Sequence, residues 1–127
     1  MTQEEKQLLL IDLCARIPYK VKCSYERILP EGYILSDAQT IGTINNITVP
    51  FAEEITVKID GSLRGLSDFK MYLRPMSSMT EKEKDTYDTM VMCNASWVID
   101  DWLLSHHFDF RNLIGRGLAL EAPDGMY

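Results

Sequence analysis

The sequence predicts one α+β domain: an N-terminal helix, a small antiparallel curled sheet, and C-terminal helices packed on it. Three observations carry this expectation. Thr2 followed by Glu5 is a capping box that opens a helical stretch ending before Pro18. Residues 19–75 then change to a period of two, with no helical pattern among them. From Thr80 onward helical spacing returns, again behind a capping box. The whole chain, 1–127, is therefore expected as a single domain. Residues 1–75 would form its helix and strands, and residues 76–127 its helical part and tail.

The first helix is expected to run to about Arg16. At about 100° per residue, Leu10, Leu13, Cys14 and Ile17 line one stripe, which makes Cys14 a small buried residue. Glu5, Asp12 and Arg16 gather on the opposite side, with Asp12 and Arg16 an i,i+4 pair. Val21, Cys23 and Tyr25 alternate with Lys22, Ser24 and Glu26, the pattern of a half-buried strand. Leu29-Pro-Glu-Gly32 reads as a turn. Short β-rich runs follow at Tyr33–Leu35, Thr40–Ile44, Ile47–Val49, Ile55–Ile59 and Phe69–Leu73. Gly61 to Gly65 reads as turn-like. So many short strands in succession suggest a meander or a small curled barrel, with an SH3-like barrel as one form.

Thr80 and Glu83 open a second helix to about Cys93, whose highly charged first turns place it on the surface. A third, Ser96 to His107, gathers Val98, Ile99, Trp102, Leu103 and His106 on one arc. Trp97, Asp100, Asp101 and Leu104 lie toward the other. Asp109 reads as the cap of a short fourth helix, Phe110 to about Ile114, closed by Gly115 or Gly117. The tail from Leu118 is expected to be irregular, with Leu118, Leu120, Met126 and Tyr127 available to dock.

Composition narrows the function classes. With 46% hydrophobic residues, a chain of 127 can bury roughly two-thirds of its unfolded surface. No apolar run approaches the roughly 18 residues of a membrane span. The acidic, polar N-terminus lacks the pattern of a signal peptide, so a cytoplasmic location is expected and membrane association is not. Three cysteines without CxxC spacing argue against a disulfide framework or a zinc knuckle. The net charge is −6, most of it after residue 75, where four Lys/Arg face nine Asp/Glu. Lys58, Arg64, Lys70 and Arg74 alternate with Asp60 and Asp68, so no basic surface for nucleic acid stands out.

His106, His107 and Asp109 are the one cluster that resembles a metal or acid–base site. Adjacent helical residues point about 100° apart, however, whereas helical metal pairs use i,i+3 or i,i+4 spacing. An architectural account covers all three: a core-facing histidine, an exposed histidine at a helix end, and a capping aspartate. Asp100 and Asp101 diverge for the same reason and read as a solvated face. No G-x-S-x-G, phosphate loop or dinucleotide motif is present. No catalytic residue and no cofactor is expected. Candidate binding residues are Trp97, an aromatic on the polar side of its helix whose alternative is to pack under the strand region or the tail, and Arg64, Arg74 and Arg111, any of which could pair a phosphate.

Three segments, Tyr72-Leu-Arg-Pro-Met-Ser-Ser-Met-Thr-Glu81, Asp101-Trp-Leu and His106-His-Phe-Asp-Phe-Arg111, together with Gly117 to Tyr127, resemble a family of small proteins. That family is uncharacterised and is encoded by gut Bacteroidales genomes and their phages or mobile elements. The resemblance covers residues 72–127 and is loose over the strand-rich part. It implies a bacterial or phage cytosol and an accessory role, and brings no activity or functional residues. The expected function is a non-enzymatic binding module of phage or mobile-element origin, acting through a protein partner or self-association. The alternatives are a protein that sequesters a small anionic molecule or nucleotide, and a metal-dependent hydrolase using His106, His107 and Asp109.

Overall fold

The computed structural model describes residues 2–28, 34–48, 56–60, 62–66 and 68–127, without the side chains of 26–28, 34–40, 48 and 62–64. The expected turn Leu29–Gly32 and the ends of three β-rich runs, at Tyr33, Val49 and Ile55, lie outside these residues. The fold is α+β, with one helix before the first strand and two between the fifth and sixth. The order is α1 (Gln3–Arg16), β1 (Lys22–Ile28), β2 (Ile34–Thr48), β3 (Thr56–Ile59), β4 (Ser62–Gly65), β5 (Phe69–Pro75), α2 (Glu81–Met92), α3 (Ser96–Ser105), β6 (Phe108–Asp109) and β7 (Ala119–Glu121).

Both capping boxes form. Thr2 Oγ1 accepts from Glu5 N and Thr80 Oγ1 from Glu83 N, while each glutamate reaches back to its cap's N–H. The face that α1 buries differs from the expected one. Leu9, Asp12, Leu13 and Arg16 are buried, whereas Cys14 is exposed. Four consecutive apolar residues, Leu8 to Ile11, leave the stripe ambiguous, and distant partners for Asp12 and Arg16 rotate the helix to its final face.

The sheet runs β4-β3-β2-β1-β5-β6, and β7 also pairs with β5. It is open, so no barrel closes. Strands β1 to β4 form an antiparallel meander. β2 is one long strand where three short runs were expected, and the Asn45-Asn46 interruption becomes a register shift between Ile44 and Asn46. The turn-like Gly61–Gly65 stretch instead supplies β4, paired from Ser62 to Gly65 with β3; Gly61 itself lies outside the described residues.

β6 and β7 run parallel to β5, making the sheet mixed. Parallel neighbours need a long crossover, and α2 and α3 supply it. The tail is therefore structured where irregularity was expected, with Leu118 and Ala119 in the core beside Leu9, Leu13, Val21, Cys23, Met71 and Leu73.

Helix α3 ends at Ser105, two residues early, because His107 is left-handed at φ 63°. The expected fourth helix does not form: Asn112 is left-handed at φ 58°, and residues 110–117 are turns. Asp109 still caps, accepting from Leu113 N (2.8 Å) and Ile114 N (2.9 Å).

Candidate functional site

The histidine cluster is built into the architecture. His106 Nδ1 lies 2.9 Å from the Trp102 carbonyl, which can only accept, so this nitrogen donates. The His106 ring packs 4.5 Å from the Trp102 ring, and Trp102 in turn stacks on Phe108 at 5.7 Å. His107 lies flat on Tyr127, with ring centroids 3.7 Å apart. Burial, reinforced by the nearby Arg16 charge, lowers the His107 pKa to about 4. Its Nδ1 is buried without a partner among the described residues. Asp109 is buried and occupied by two backbone donors. Among the described residues, no three His, Cys, Asp or Glu side chains form a group that could hold a metal ion.

Two of the three arginine candidates, Arg74 and Arg111, have internal partners. Arg74 forks onto Glu83 at 2.7 and 2.9 Å and covers the Phe108 ring at 4.2 Å. This pairing holds the Glu83 carboxyl at about 2. Arg111 donates to Asp12 Oδ1 at 2.6 Å. The side chain of Arg64 lies outside the described residues. A groove of about 440 Å³ reaches Arg74 but also Glu83, Glu121 and Asp124, so its charge does not favour an anion. A smaller cavity of about 280 Å³ has a floor of Leu9, Phe69 and Leu118 and a rim carrying Lys70 and Arg116 together with the carboxylate of Glu5. Sequence reading passed over this pair, since the two cations lie far apart in the chain and only β5 and the tail bring them together.

The corner between α2 and α3 has a different character. Val91 is 49% exposed, Met92 87% and Trp97 77%. They are three of the six strongly exposed large apolar side chains among the described residues, and they fall within seven positions. Left-handed Asn94 turns the chain between the helices and brings both ends to this corner. Trp97 occupies the first turn of α3, away from the Trp102 side that packs inward. The polar-face placement deduced from helix geometry identified Trp97; Met92 had no comparable signal, because its exposure follows from where α2 ends. Asp100 and Asp101 are exposed on the same side of α3, with Asp101 accepting from the Tyr19 hydroxyl. Searches against protein-family models, curated proteins and solved structures find no match to this chain. Among the described residues, no helix is long and apolar enough to cross a membrane.

Proposed function

We propose that this chain is a non-enzymatic interaction module of phage or mobile-element origin whose contact surface is the α2–α3 corner. One observation carries the reading: Trp97 and Met92, a rigid aromatic and a deformable thioether five residues apart in the chain, both stand largely in solvent. Exposed large apolar groups carry a hydration cost that a partner removes, and Trp and Met are enriched at contact surfaces. The resemblance to accessory proteins of mobile elements supports the origin in this reading. Affinity capture from the native host, with wild type and Trp97→Ala compared by mass spectrometry, tests it. The expected result is a protein recovered with wild type and lost with Trp97→Ala. Identical recoveries would remove the corner from the function.

The smaller cavity, where Lys70 and Arg116 outnumber the single carboxylate of Glu5 on the rim, supports a second reading, a site for a small anion with an apolar arm. Calorimetric titration with octanoate tests it. Heat that disappears in Lys70→Gln/Arg116→Gln supports the site, and absence of binding at millimolar octanoate removes it.

A further inference from the structure

We infer that the partner of the α2–α3 corner is a basic amphipathic protein segment, and not a second copy of this chain. This rests on the interaction reading above and adds the partner's chemistry. From Asp85 to Phe110 the chain carries five aspartates and no lysine or arginine. Asp109 is buried, whereas Asp85, Asp88, Asp100 and Asp101 are exposed. Helical spacing puts these four beside the apolar anchors. Asp85 and Asp88 precede Met92 by seven and four residues, and Asp100 and Asp101 follow Trp97 by three and four. Arg74, the cation that meets α2 from β5, is neutralised by Glu83, and the exposed Lys82 and Lys84 precede Met92 by ten and eight residues, farther from it than either aspartate of α2.

The corner is thus an apolar centre with an acid rim. A symmetric pair of copies would bring two acid rims together, which like-charge repulsion opposes. A segment presenting apolar side chains flanked by Lys or Arg meets both features at once. Solvent-exposed carboxylates of this kind contribute selectivity and encounter rate more than tightness, while Trp97 and Met92 supply the contact.

The test uses the full chain and two labelled helical probe peptides, one of Leu and Lys and one of Leu and Glu, followed by fluorescence anisotropy. The Leu/Lys peptide is expected to bind at least roughly tenfold more tightly, with the preference shrinking as salt rises. Asp85→Asn/Asp88→Asn/Asp100→Asn should bring the two peptides to within about twofold. Neutralising Glu4, Glu121 and Asp124, three exposed carboxylates elsewhere, should leave the preference intact. A preference unchanged by the triple Asp→Asn variant overturns the inference. So does sedimentation showing a concentration-dependent dimer that Trp97→Ala abolishes, although that outcome keeps the corner as a contact surface. Leu/Lys binding unaffected by Trp97→Ala, with no dimer, overturns the corner itself.

Discussion

Asp12 and Arg16 form a fully buried ion pair, with Arg16 Nε donating to Asp12 Oδ2 at 2.6 Å and Nη2 to Oδ1 at 3.1 Å. The same Nη2 reaches the Phe108 carbonyl at 2.6 Å, and Arg111 adds a third donor to Asp12. Phe110 lies against both guanidinium groups, 5.6 Å from Arg16 and 4.5 Å from Arg111. One carboxylate thereby ties α1 to the segment that follows α3.

Removing the carboxylate should be costly because it strands a buried cation. Asp12→Ala is expected to lower unfolding free energy by about 3–5 kcal/mol in urea titrations. Asp12→Leu/Arg16→Met should fall within about 1–2 kcal/mol of wild type, since a matched apolar pair needs no desolvated charge. A double variant as unstable as Asp12→Ala would show that the links to Phe108 and Arg111, and not charge burial, dominate.

The two aromatics Trp97 and Phe108 should separate contact from core. Trp97→Ala should change stability by no more than about 0.5 kcal/mol, as at other exposed positions. Phe108→Ala, at a side chain with no exposure, should cost about 3–5 kcal/mol. Thermal melts of the two variants check the contrast.

His107 should give the protein a weakness in mild acid. Its pKa falls from 6.5 to about 4 in the folded state. Between those values the unfolded chain therefore binds the extra proton and the folded chain does not. Stability from this group is intact above about 6.5, declines as the pH falls, and levels off below 4. His107→Asn, which suits the left-handed backbone, should flatten that part of the stability curve. An NMR midpoint for His107 near 6.5 would contradict the burial described above.

Glu83 acts in a lower window. Its carboxyl is held down first by the hydrogen bonds from Arg74, and the folded value of about 2 compares with 4.5 unperturbed. Its stabilisation is complete above about 4.5 and is lost as the pH falls toward 2. Glu83→Gln should shrink the drop in melting temperature over that range while lowering stability at neutral pH.

Gly42 faces a crowded neighbourhood across from β1. A Cβ there would come within 2.6 Å of Asp60 Oδ2 and Tyr25 Cε1, and 2.7 Å of Ile59 Cγ2. Gly42→Ala should cost about 1–3 kcal/mol through overpacking, measured by denaturant titration.

Both helix starts were legible because a capping box is written within four residues. The Val21-Cys23-Tyr25 alternation likewise gave one buried face of β1, where burial raises the Cys23 thiol to about 12, but Ser24 on the face expected to be open is buried as well. Spacing put Trp97 on the polar side of α3 but left open whether the strands or the tail cover it; the structure leaves it 77% exposed. The fourth helix was misread because Asp109 caps identically in a turn; the left-handed Asn112 made the difference, and Asn tolerates either conformation. The mixed character of the sheet was missed because the parallel pairing of Ala119–Glu121 with β5 joins segments about 48 residues apart.

The sequence by itself determined what short-range spacing encodes: the starts of the helices, the inward side of the first strand, the acid character of the second half and the polar side of α3 on which Trp97 lies. The tertiary structure alone decided which face of α1 is buried. A helical i,i+4 pair of opposite charge looks the same in solvent as in a core. Asp12 and Arg16 are buried where Phe108 and Arg111, more than ninety residues away, add hydrogen bonds to the pair.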